Sequence, residues 1–136
     1  MYKVFLVDDE RFAIEGLISM LDWARFEGEL VGTASSGEEA LSLLEHIHPD
    51  VIISDIKMEG MNGIRLAQLV HDKLPDLPFI LLTAHGEFEY ARQALKYGVI
   101  DYILKPITRE KLEQLNQLLT QKAEQMNLNR RSYLTI

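Results

Sequence analysis

Four short apolar runs, "KVFLV" (3–7), "DVIIS" (50–54), "PFILL" (78–82) and "IDYIL" (100–104), recur along the chain, with a weaker fifth, "ELVGTA" (29–34). A run that is apolar throughout, rather than alternating, needs cover on both faces. That is the environment of a parallel strand between two helical layers. The stretches between the runs supply the cover. "RFAIEGLISMLDW" (11–23) places Phe12, Ile14, Leu17, Ile18 and Leu21 on roughly one helical face. "SGEEALSLLEHI" (36–47) opens on Ser36 with Glu39 three residues later, the spacing of a capping box. "GIRLAQLVHDKL" (63–74) ends before Pro75, and "EFEYARQALKYG" (87–98) ends on Gly98, a C-terminal stop. A fifth, longer helix starts near Thr108. Strand and helix alternate five times, which predicts a three-layer, doubly wound α/β fold on a parallel five-stranded sheet with right-handed crossovers.

A chain of 136 residues with 47% hydrophobic content suits one domain with a sizeable core. It holds no apolar run of about 18 residues, so no membrane span is expected. "MYKVFLVDDE" reads as a first strand rather than a secretory signal. The absence of cysteine excludes disulfides and thiolate metal sites and fits a cytoplasmic location. The net charge is −7 and unevenly spread. Residues 1–108 carry nine basic and eighteen acidic side chains, and residues 109–136 carry five and three. So acidic a domain is not expected to bind nucleic acid directly.

The residues that follow the apolar runs carry the chemistry. The first strand leads into Asp8-Asp9-Glu10, "DVIIS" into Asp55, "PFILL" into Thr83 and "IDYIL" into Lys105-Pro106. Singly, each has an ordinary explanation: a helix cap for Asp8, Asp9 or Thr83, a solvated loop for Asp55, an exposed turn for Lys105. In an open parallel sheet, however, the C-terminal strand ends share one edge, where ligands bind at the topological switch point. Carboxylates gathered there repel one another by about 4 kcal/mol per pair at 4 Å and an effective dielectric near 20. A hard divalent cation relieves that cost, and a donor set of oxygens alone suits Mg²⁺. With the cation present, Asp55 can attack phosphorus and form an aspartyl phosphate. Lys105 would then neutralise charge on the transferring group.

These marks, "VDDE", "IISDIKMEGMNG", "LLTAHGEFEYARQAL" and "GVIDYILKPI", resemble in order and spacing the response-regulator receiver domains of bacterial two-component signalling. The resemblance covers residues 1 to about 122, leaving 123–136 as a helical extension or linker toward an output domain outside this sequence. It implies a flavodoxin-like fold with strand order 2-1-3-4-5, the order for which a chemotaxis receiver is a standard example. It implies Asp55 as the phosphoacceptor and Mg²⁺ held by Asp8, Asp9, Asp55 and the backbone carbonyl of Lys57. Thr83 and Lys105 would bind the phosphoryl group, and Tyr102 would be the switch aromatic that follows Thr83. The Lys105-Pro106 bond would be cis, as in relatives. The implied partners are a sensor histidine kinase, the protein's own C-terminal DNA-binding domain, and a second copy through the 87–119 face. "TASSGEEAL" and "GEFEYARQALKYGVIDYILKPI" further resemble receivers attached to AraC-type helix-turn-helix domains. One departure is Glu59, which stands where the family's loop commonly has proline.

Other readings compete. An aspartate-nucleophile phosphatase would carry Asp-x-Asp after the first strand, where this chain has adjacent acids. A flavodoxin-like cofactor carrier would need a Ser/Thr/Gly phosphate loop where "DDER" stands, and no G-x-x-x-x-G-K-[ST] loop is present. A docking module that is never phosphorylated would not need the full set of Asp8, Asp9, Asp55, Thr83 and Lys105. His46, His48, His71 and His85 show no metal-ligand spacing and read as surface residues, His85 lying near the site. Met58 and Met61 read as packing residues, and Trp23 as a core residue at a helix end. Leu112, Leu115, Leu119 and Met126 recur at near-heptad spacing, and the second half of their helix outruns the domain. Residues 127–136, "NLNRRSYLTI", read as a frayed linker or tail.

Overall fold

Both faces of the central strands find cover, because side chains alternate across a strand and nearly all of theirs are apolar. In β1 (Tyr2–Val7), Val4 and Leu6 enter one core while Phe5 and Val7 enter the other. In β3 (Val51–Asp55), Ile52 faces one way and Val51 and Ile53 the other. With β2 (Gly28–Ala34), β4 (Phe79–Thr83) and β5 (Val99–Leu104) they form a parallel sheet in the order β2-β1-β3-β4-β5. The computed structural model describes residues 1–134, and the side chains of these except His85 and 132–134. The earlier reading that places His85 near the site therefore concerns a side chain outside the described set.

α1 (Arg11–Met20) and α5 (Arg109–Leu134) supply the core on one face, through Leu17 and through Leu115, Leu119 and Ala123. α2 (Gly37–Leu43), α3 (Gly63–Lys73) and α4 (Phe88–Gln93) supply the other, through Ala40, Leu66, Val70 and Ala91. The Ser36 hydroxyl caps α2 by accepting from the Glu39 N–H at 3.1 Å, and Asn62 caps α3 by accepting from the Arg65 N–H at 2.8 Å. Met58 is buried, Met61 packs against the core, and Trp23 is partly buried, its indole N–H donating to the Ile18 carbonyl at 2.7 Å.

Several sequence expectations need correction. Phe12 is not on the buried face of α1 but 88% exposed. At about 100° per residue it sits opposite the arc shared by Ile14, Leu17, Ile18 and Leu21. α1 also stops at Met20, and Trp23 begins a 3-10 turn ending at Phe26. The 87–98 segment is not one helix: a 3-10 turn (His85–Glu87) precedes α4 and another (Ala94–Tyr97) follows it, before Gly98 at φ 77°. Its buried anchors are only Ala91 and Ala94, too small to hold a long regular helix through tertiary packing. Residues 127–134 are helical rather than linker, the last turns of α5 propagating through a segment without Gly or Pro. Residues 135 and 136 lie outside the described set. His71 is not simply a surface residue, since its Nδ1 is buried beside Gly98. Among the described residues no helix is long and apolar enough to cross a membrane.

Candidate functional site

Because β1 pairs with β2 on one side and β3 on the other, the crevice between the ends of β1 and β3 is the topological switch point. Asp8 and Asp9 follow β1 directly, and Asp55 is the last residue of β3. One carboxylate oxygen from each lies within 4.8 Å of the others. Lys105, just past β5, reaches into the same crevice: its Nζ stands 3.1 Å from Asp55 Oδ1 and 3.6 Å from Asp8 Oδ2. Sequence reasoning brought these four residues together, and the geometry agrees.

The local contacts are specific. Asp8 Oδ1 accepts from the Glu10 N–H at 2.9 Å, whereas Asp8 Oδ2 is buried with no hydrogen-bond partner among the described residues. Asp55 Oδ1 accepts from the Ile56 N–H at 3.0 Å as well as meeting Lys105. Asp9 is exposed, and its Oδ2 accepts from the Glu59 N–H at 3.4 Å. That contact exists because position 59 is not proline, which has no N–H. Thr83, the last residue of β4, is fully buried, and its hydroxyl donates to the Ala84 carbonyl at 3.1 Å. Tyr102 in β5 is half-buried, its ring meeting Phe88 edge-on at 5.4 Å. Lys57 carries an exposed side chain in the loop that leaves Asp55. The Lys105-Pro106 bond is cis.

Burial pushes the Asp8 and Asp55 carboxyls above the ordinary carboxylate range, and Lys105 only partly offsets it. Burial alone would lower Lys105, but the charges of Asp55 and Asp8 outweigh it and hold its ammonium above the usual value. One ammonium thus serves two buried acids, with a third acid at the rim. An Asp8 Oδ2 with no hydrogen bond, the clustered carboxylates and the all-oxygen donor set fit a hard divalent cation.

Two features of the site escaped sequence reasoning. The Ser54 hydroxyl, buried, donates to the Asp55 carbonyl at 2.9 Å. Glu38, in the first turn of α2, accepts from the Met61 N–H at 2.9 Å, across 23 residues of sequence. The capping pattern around Ser36 gives no hint of the second, which depends on how a loop closes.

Residues 4–117 match the family described as the response regulator receiver domain. The transcriptional regulatory protein YesN of Bacillus subtilis is 41% identical over 112 residues, covering 82% of this chain and 30% of YesN. HptR of Staphylococcus aureus, also a transcriptional regulatory protein, is 37% identical over 133 residues, covering 97% of this chain and 52% of HptR. The chain therefore spans about a third to a half of the length of these relatives. Among solved structures, the receiver domain of AraT, a response regulator from Geobacillus stearothermophilus, superposes with a TM-score of 0.83 at 36% identity. That match covers 93% of this chain and 98% of the other. A two-component transcriptional regulator AraC from Clostridium phytofermentans superposes at 0.80 with 28% identity, covering 92% and 97%.

Proposed function

The chain belongs to the response-regulator receiver family, a family of signalling switches rather than classical enzymes, and from that membership we propose that Asp55 is its phosphoacceptor. The observation that supports this most is the Asp55–Lys105 pair at 3.1 Å, set beside an Asp8 oxygen that has no hydrogen bond. Asp8, Asp9, Asp55 and the Lys57 carbonyl are the groups that would hold Mg²⁺. When bound, the ion supplies charge neutralisation on phosphoryl oxygens and fixes their orientation.

Ile56 N–H and Lys105 both engage Asp55 Oδ1, so Oδ2 is the oxygen whose lone pairs are open to phosphorus. The new O–P bond forms as the P–N bond of a phosphohistidine on a sensor kinase breaks, and the departing imidazole takes a proton from solvent. Lys105, held charged by the acids around it, pairs with the phosphoryl oxygens. Hydrolysis of the aspartyl phosphate, in which water attacks phosphorus and the Asp55 carboxylate leaves, would be slow and self-catalysed, with no separate substrate pocket involved.

The phosphoryl group would draw the Thr83 hydroxyl off the Ala84 carbonyl, and Tyr102 would leave Phe88 to fill the space behind it. A hydrogen bond to a charged group is worth about 1.5–3 kcal/mol. Inverting a population from 1:99 to 99:1 takes about 5.5 kcal/mol. Thr83 therefore needs Lys105 and further contacts to complete the switch. The exposed Phe88, Tyr90 and Leu95 support the reading that the 87–119 face pairs with a second copy. The longer relatives are named transcriptional regulatory proteins, which supports an output on transcription in the cytoplasm through the protein's own C-terminal DNA-binding domain.

Beryllofluoride, a phosphoryl mimic, tests the assignment. Added with Mg²⁺, it is expected to shift the backbone amides around Asp55, Thr83 and Tyr102 in an NMR titration, and to leave Asp55→Asn unchanged. Equal shifts in the variant, or none in the wild type, would overturn it.

A further inference from the structure

The loop between β3 and α3 carries Lys57, and its two ends are anchored. The Ile56 N–H donates to the Leu82 carbonyl at 3.2 Å, and the Gly63 N–H to the Ile56 carbonyl at 2.8 Å. Between these anchors two side chains from elsewhere in the chain hold the backbone. Asp9 accepts from the Glu59 N–H at 3.4 Å, a long contact on an acid that a cation would claim. The other is Glu38, whose Oε1 accepts from the Met61 N–H at 2.9 Å. A Cβ placed on Gly60, which has φ 80°, would lie 3.3 Å from each Glu38 carboxylate oxygen, so the carboxylate packs over this left-handed bend of the loop. Met61 in turn lies on the backbone of Gly37: a Cβ there would come within 2.8 Å of its Sδ. The first turn of α2 thus grips the loop through adjacent residues, one polar and one by close packing.

We infer that Glu38 is a positioning residue for this loop, fixing Gly60 and Met61 and through them the Lys57 carbonyl that would face the cation. The inference rests on the phosphoacceptor reading for its consequence, but the grip itself does not. Proline at position 59 would restrict the loop by its ring; Glu59 carries no such ring, and the α2 contact restrains the loop instead. Once Asp9 turns toward a cation, Glu38 is the side chain still holding the middle of the loop.

The test compares Glu38→Gln, which keeps an oxygen acceptor, with Glu38→Ala, which removes it. Both lose the charge at the start of α2, so a difference between them reads the hydrogen bond rather than the helix dipole. Amide hydrogen exchange is followed at Met61 and, as an internal control of the sheet, at Ile52 and Ile53. Mg²⁺ affinity is measured on the same 136-residue chain by calorimetry. Glu38→Ala is expected to speed Met61 exchange by about five- to tenfold and to weaken Mg²⁺ binding severalfold. Glu38→Gln should stay near wild type, and Ile52 and Ile53 should be unchanged in both. Wild-type exchange at Met61 in Glu38→Ala, or equal losses in the two variants, would overturn the inference. A wild type that takes up no Mg²⁺ would overturn the proposed function and the effect on the Lys57 carbonyl, while Met61 exchange would still decide the grip.

Discussion

Lys105→Met in cation-free buffer probes the electrostatic core of the site. The ammonium lies 3.1 Å from Asp55 and 3.6 Å from Asp8, and its side chain is only 29% exposed. At an effective dielectric of 20 each attraction is about 5 kcal/mol, while the two acids, with oxygens no more than 4.8 Å apart, repel by about 3.5 kcal/mol or more. Removing the lysine leaves two buried carboxylates facing each other, a change of the class that costs about 3–5 kcal/mol. The cost has a pH signature. Asp8 and Asp55 already have raised pKa values in the fold, and losing Lys105 raises them further. Between the ordinary carboxylate pKa and the raised value, the folded protein binds more protons than the unfolded chain, so stability falls as pH rises through that interval. Urea unfolding should therefore show a clearly larger loss near pH 7 than near about pH 3, where the unfolded carboxyls too are mostly protonated. In an Asp8→Asn/Asp55→Asn background the same substitution should cost about 1 kcal/mol or less, since there is no buried charge to strand. Equal costs in both backgrounds, or a loss that does not vary with pH, would refute the reasoning.

Two further predictions concern neighbouring positions. Gly63→Ala should destabilise the fold by about 2 kcal/mol or more in urea unfolding, because its Cβ would collide with the Asp55 carbonyl, which is backbone and cannot swing aside. An unchanged midpoint would show that the β3–α3 loop yields. Thr83→Ala should still accept a phosphoryl group on Asp55 but shift the switched population about 10- to 100-fold toward the resting state. Amide NMR with beryllofluoride would read that ratio, and a variant that switches fully would remove Thr83 from the mechanism.

The sheet was legible because burial on both faces leaves a mark that survives without an alignment: Val51, Ile52 and Ile53 are apolar in succession and all fully buried. The site was legible for a related reason. A parallel sheet delivers its C-terminal ends to one edge, so Asp8, Asp9, Asp55 and Lys105 could be placed together once the strands were placed. What escaped depends on angle or on loop closure. Phe12 was misassigned because helical phase, rather than apolar character, decides which side faces the core. The 87–98 segment was overextended because its alanine anchors look helix-forming in sequence yet bury little. Glu38 was invisible because its partner is a backbone N–H brought near by the turn at Gly60. The same alanine-anchored segment leaves Phe88, Tyr90 and Leu95 outward, so the feature behind the helix misreading also exposes the surface proposed to pair.

Phosphoryl transfer to Asp55 in a cation-dependent reaction is the central proposal for this chain. Intact mass after incubation with Mg²⁺ and acetyl phosphate, for wild type and Asp55→Asn, measures that directly. One phosphoryl adduct on the wild type, absent from the variant and abolished when EDTA is present from the start, is the predicted result. No adduct on the wild type, or an equal adduct on Asp55→Asn, would contradict it.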